Sequence, residues 1–112
     1  MLFDEYQEKA ADTAIYEGRG DIVGMIYNTL QICSEAGEIA GKLAKHLMKY
    51  GPTLPSLETM EAIDKECGDT LWHISQLLWE FGRQMSKTAE GNLTKLADRK
   101  ERNVLHGNGD SR

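Results

Sequence analysis

Apolar residues recur every three to four positions along nearly the whole chain, and runs of alternating polarity are missing. That period belongs to amphipathic helices. A first helix is predicted from Leu2 to Tyr16, with Phe3, Tyr6, Ala10, Thr13 and Ala14 near one face. Glu17-Gly18-Arg19-Gly20-Asp21 interrupts it, and Asp21 suits the N-cap of the next helix. The second helix runs from Ile22 to Met48 and carries two stripes. Ile22, Ile26, Cys33, Ala36, Ala40, Leu43 and Leu47 form the apolar one; Gln31, Glu35, Glu38, Lys42, Lys45 and Lys49 form its polar neighbour. Gly51-Pro52-Thr53-Leu54-Pro55 ends it with both prolines of the chain. Ser56 caps a third helix that extends to Met85, with Met60, Ile63, Cys67, Leu71, Ile74, Leu78 and Phe81 as its apolar stripe and Glu66, Asp69, His73 and Gln76 beside it. A fourth helix from Thr88 to Arg102 places Asn92, Lys95, Arg99 and Arg102 at spacings of three and four. The expected fold is all-α, a four-helix bundle in residues 1–102, followed by a polar, Gly-rich tail over residues 103–112.

Composition narrows the class. The 112 residues suffice for one domain, and 40% hydrophobic with 28% charged residues is a globular balance. A formal net charge of −5 argues against a nucleic-acid binder, which needs a basic surface. No apolar run reaches membrane-spanning length and the N-terminus lacks a signal pattern, so no membrane partner is expected. Cys33 and Cys67 sit in helical apolar patterns and read as small buried residues in a reducing, cytoplasmic setting. Two long helices in so short a chain leave apolar surface, Trp72 and Trp79 included, which points to homo-oligomerisation.

The chemistry lies in Glu35-Ala36-Gly37-Glu38 and Glu66-Cys67-Gly68-Asp69. Each acid pair is spaced i, i+3 on one helix face, so two antiparallel helices would bring four carboxylates together. A hard divalent cation, Mg²⁺ with Mn²⁺ as a substitute, relieves their repulsion. A single exposed Glu is normally just solvated charge. Here Gly37 and Gly68 each weaken a helix interior by about 0.8–1.0 kcal/mol relative to Ala, which suggests close helix approach or room for a ligand. A di-iron centre expects Glu-x-x-His, which neither pair provides, and no His/Cys cluster suits zinc. Lys42 and Lys45 follow the first pair, and Lys95 and Arg99 stand i, i+4 on the last helix. Such cations beside a metal suit polyphosphate chemistry.

Ser34-Glu35-Ala36-Gly37-Glu38-Ile39-Ala40 and Glu66-Cys67-Gly68-Asp69-Thr70-Leu71-Trp72 resemble the paired motifs of the all-α nucleoside triphosphate pyrophosphohydrolases, the MazG-like superfamily. Asn92-Leu93-Thr94-Lys95-Leu96-Ala97-Asp98-Arg99-Lys100 and Gly107-Asn108-Gly109-Asp110 are similar to the small, single-domain members of phages and bacteria. The resemblance implies a Mg²⁺-dependent enzyme in which a metal-activated water cleaves a (d)NTP between its α- and β-phosphates, giving a (d)NMP and pyrophosphate. It implies that Glu35, Glu38, Glu66 and Asp69 hold metal, that Glu35 or Glu38 helps activate water, that Lys42, Lys45, Lys95 and Arg99 bind phosphate, and that Asn92 binds phosphate or sugar. It also implies a homodimer or homotetramer with sites between helices of more than one chain. Asn28, Gln31, Trp72 and His73 are the candidates for a base or sugar pocket, and the tail is a candidate lid over the nucleotide. The competing readings are a non-catalytic nucleotide- or metal-binding regulatory module, and a helical oligomerisation protein whose acids are surface charge.

Overall fold

The computed structural model describes residues 1–112. It is all-helical, with α1 at Phe3–Ala11, α2 at Ile22–Tyr50, α3 at Leu57–Glu80 and α4 at Met85–Glu101. No helix is long and apolar enough to cross a membrane. α2 and α3 form an antiparallel hairpin, α1 packs on α3, and α4 packs principally on α1.

The two expected caps are in place. The Asp21 side chain accepts from Val23 N–H at 2.8 Å, and Ser56 Oγ accepts from Thr59 N–H at 3.1 Å. Helix α1 is shorter than its periodicity predicts: it ends at Ala11, and residues 12–21 form turns. Helix α3 stops at Glu80 rather than continuing to Met85. Gly82 adopts φ 66°, its N–H bonds to the Trp79 carbonyl, and Arg83 N–H reaches the Leu78 carbonyl at 2.8 Å. This is a Schellman closure, which a left-handed glycine makes without steric cost. Helix α4 then starts earlier than expected, at Met85, on caps lent by α1. Gln7 Oε1 accepts from Met85 N–H at 3.1 Å, while Asp4 accepts from Ser86 N–H at 2.9 Å and from its hydroxyl at 2.6 Å.

The hairpin closes along its polar side. Among the ten buried residues only Ala10, Ala14 and Met85 are hydrophobic, whereas Gln7, Asn28, His73, Ser75, Gln76 and Arg99 are polar or charged. Between α2 and α3, Asn28 Nδ2 donates to the Gly24 carbonyl at 2.9 Å and its Oδ1 lies 3.0 Å from His73 Nδ1. Arg19 donates to Gln76 Oε1 at 2.9 Å and stacks 3.7 Å from the Trp79 ring centroid. Tyr16 donates to Glu80 at 2.6 Å. These bonds meet the requirement that polar groups leaving water find partners.

The apolar stripe expected at the core faces outward instead. All seven of its α2 members, Ile22 to Leu47, are exposed, and on α3 so are Met60, Cys67, Leu71, Ile74 and Phe81. Cys33 and Cys67, expected to be buried, are exposed free thiols on this surface. The chain exposes 8213 Å², about 2000 Å² more than a folded monomer of its mass is expected to show. Its Cα radius of gyration is 16.9 Å, against about 13 Å for a compact chain of this length.

Gly37 and Gly68 have nothing near an added Cβ, so no close helix approach within the chain accounts for them. Gly24 does mark one: a Cβ there would lie 2.6 Å from both the Gly18 carbonyl and Glu80 Oε1. Gly24→Ala should therefore destabilise the fold by about 1 kcal/mol, an overpacking penalty of about 1–3 kcal/mol outweighing the helix-propensity gain. Urea denaturation measures this, and equal or greater stability would show that the 16–20 turn yields.

Candidate metal and phosphate site

The antiparallel register of α2 and α3 sets Glu35 opposite Glu66 and Asp69. One carboxylate oxygen from each of the three lies within 4.8 Å of the other two, with Glu35 and Glu66 half-buried and Asp69 exposed. Three converging hard oxygen donors fit a divalent cation of the Mg²⁺ or Mn²⁺ kind. Glu38 is not in this group. It is exposed and lies 3.4 Å from Lys42 Nζ, one helical turn along.

Lys42 joins the acids to the cations that follow. Its ammonium donates to Glu66 Oε1 at 2.7 Å, and this bond holds Glu66 below the usual carboxylate range. The same carboxylate raises Lys42. Glu35 moves the other way: burial first, then the charges of Asp69, Glu66 and Glu38, push it above its ordinary 4.5. One lysine does not balance the cluster, and Glu35 carries the excess.

Beyond Lys42 the hairpin opens into a cavity of about 340 Å³ lined by Lys42, Lys45, His46, Lys49, Tyr50 and Glu58. Lys45 thus stands beside Lys42, as expected. Sequence reading left out His46, although it lies on the same face, one turn after Lys42.

The other expected residues are placed elsewhere. Asn28 is fully buried and His73 nearly so, and the bond between them ties both into the hairpin joint, not into an open base pocket. Burial depresses His73, partly offset by the charge of Asp69. Trp72 donates its indole N–H to Thr13 Oγ1 at 2.9 Å and meets Tyr16 and His73 edge-on. Gln31 is half-buried on α2. Asn92 is exposed on α4, and Lys95 and Arg99 pair with Asp110 of the tail rather than with the carboxylates of the hairpin. The tail lies on its own α4, held there by the bonds of Asp110 to Lys95 and Arg99.

A carboxyl raised on folding binds its proton more tightly in the native state, so its contribution falls as pH rises from the ordinary value of 4.5 to the raised one, and stays unfavourable above. Without divalent ions, Glu35→Gln should have a higher Tm than the parent at neutral pH, with the difference shrinking as pH approaches 4.5. Thermal unfolding in EDTA across this range checks it; a lower Tm for the variant at neutral pH would contradict the crowding of these acids.

The chain is 40% identical over 115 residues to the Gene 37 protein of Mycobacterium phage L5, a match that covers the whole of both chains. No family model and no solved structure matches it. Identity of that extent over full length makes this chain a member of the family of the phage Gene 37 protein.

Proposed function

We propose that the protein is a Mg²⁺-dependent nucleoside triphosphate pyrophosphohydrolase that converts a (d)NTP to a (d)NMP and pyrophosphate. The observation carrying this reading is the convergence of Glu35, Glu66 and Asp69 between two antiparallel helices, with Lys42 leading into a lysine-lined cavity. The resemblance of the two acid motifs to MazG-like enzymes supports it. Glu35, Glu66 and Asp69 would hold the ion. When bound, Mg²⁺ offsets charge on the phosphate oxygens and acidifies water. Lys42 and Lys45 take the polyphosphate tail, which orients the α-phosphorus toward the acids. Water adds to that phosphorus, and the bond from it to the α–β bridging oxygen breaks. Glu38, outside the three-carboxylate group, is the acid left to accept the water proton.

The working unit in this reading is a homo-oligomer joined through the outward apolar face of α2 and α3. The excess exposed area of about 2000 Å² per chain falls in the range that obligate dimers bury, whereas a standard-size stable interface hides about 800 Å² per partner.

Product analysis with Mg²⁺ across the common NTPs and dNTPs tests the reaction: monophosphate plus pyrophosphate is expected. Glu66→Gln and Asp69→Asn should each lower turnover by about a hundredfold or more with helicity intact, the loss of several kcal/mol of charge stabilisation. Near-parental activity in either variant would sink the assignment. A Mg²⁺-dependent rise in Tm without turnover of any nucleotide would instead favour a nucleotide- or metal-binding regulatory module.

Sedimentation velocity tests the assembly. A dimer or larger species is expected for the parent, and Leu43→Glu, on the outward stripe, should dissociate it. A parent that sediments as a monomer at tens of micromolar, an order of magnitude at which obligate dimers stay associated, would refute the interface.

A further inference from the structure

Residues 103–112 fold back onto α4. Asn103 takes φ 58° and Val104 N–H bonds to the Arg99 carbonyl at 2.9 Å, which reverses the chain at the helix end. Arg112 ties the returning segment together by donating to the carbonyls of Val104, Leu105 and Gly109. Asp110 is thereby set on the α4 face that carries Lys95 and Arg99. Its Oδ1 accepts from Lys95 Nζ at 2.8 Å and from Arg99 Nη2 at 3.0 Å, and its carbonyl takes a second bond from Nη2 at 2.9 Å.

Two details show that Asp110 fits this place incompletely. Arg99 is 5% exposed, yet its Nε is the one buried polar side-chain atom in the chain without a partner. The Nε–Nη2 edge is a two-pronged donor suited to phosphate or carboxylate, and Asp110 engages only half of it. The Asp110 side chain itself is 82% exposed, so water and competing anions reach it, and exposed ion pairs are weak. A phosphoryl group has enough oxygens to meet Lys95, Nη2 and Nε together.

We propose that Lys95 and Arg99 form a seat for a phosphoryl group, that Asp110 occupies this seat as an internal competitor in the free protein, and that the tail is released when the phosphoryl group binds. This rests on the reading of Lys95 and Arg99 as phosphate-binding residues, and adds a displacement step to it.

The test compares the full-length protein with Asp110→Asn, using inorganic pyrophosphate without divalent ions as the probe. Calorimetry should give tighter binding to the variant by about fivefold or more, the usual size of a coupling between competing sites. In the parent protein, saturating pyrophosphate should speed amide hydrogen exchange in residues 103–112; in Asp110→Asn, that segment should exchange fast from the start. Arg99→Lys, which loses the two-pronged edge, should bind pyrophosphate more weakly than the parent. Equal or weaker binding by Asp110→Asn, no binding by either protein, or tail exchange that stays constant or slows in the parent would overturn the displacement. Turnover of nucleotide with Mg²⁺, assayed in parallel, separates the two ideas. Turnover without tail release removes only the displacement step, whereas tail release without turnover keeps the seat and removes the hydrolase reading.

Discussion

The structure depends on a polar joint. α2 and α3 meet through Asn28 and His73 and through Lys42 and Glu66, and Arg19 of the turn before α2 adds a bond to Gln76. Buried polar groups cost free energy unless each finds a partner, so the joint fixes one register and penalises sliding. Two consequences follow from using the polar stripes to close the hairpin. Three carboxylates are drawn together and partly desolvated, which raises Glu35. The apolar stripe of α2 and most of that of α3 are left on the outside.

Periodicity and end signals made the helices legible, because both are local. Asp21 and Ser56 cap the helices they precede, as their sequence positions indicate. The break at Gly82 was harder to read, since Leu78 and Phe81 continue an apolar period through it and a glycine near a helix end is not by itself a stop. The start of α4 was out of reach for another reason. Its caps, Asp4 and Gln7, come from the far end of the chain. Which stripe of α2 would face α3 was misread on the premise that apolar surface turns inward within one chain. A period gives the angle between stripes, not the identity of the neighbour each one meets.

The site was legible to a similar depth. Spacing of i, i+3 correctly put acids on facing stripes, and three of the four converge. Glu38 does not; it is exposed and meets the cluster only through Lys42, which lies 3.4 Å from Glu38 and 2.7 Å from Glu66. Lys42 and Lys45 line the cavity beyond the acids, being on the same stripe as Glu35. Lys95 and Arg99 are governed by the path of the tail, and nothing in their own spacing indicates that Asp110 would reach them. Asn28 and His73 have the chemistry of a base pocket, yet the hairpin consumes it. In a chain this short of buried apolar side chains, polar residues are needed to hold the helices in place.

That division of labour links stability to function. A hairpin whose interior is hydrogen-bonded rather than oily gains little from its own collapse, because each internal bond largely replaces one made to water. In the proposed reading the remaining drive comes from outside the single chain: from covering the α2–α3 apolar face, and from neutralising the acids that the joint crowds together. Both effects act only on the folded state, so each adds to stability by mass action and each favours the same register of α2 against α3. In the proposed reading, a partner on the outer face would stiffen the helices that carry Glu35, Glu66 and Asp69, and an ion between those acids would fix the helices that present the outer face. Assembly and metal binding, as proposed, would then be coupled through one element, the hairpin, with no need for a separate relay between them.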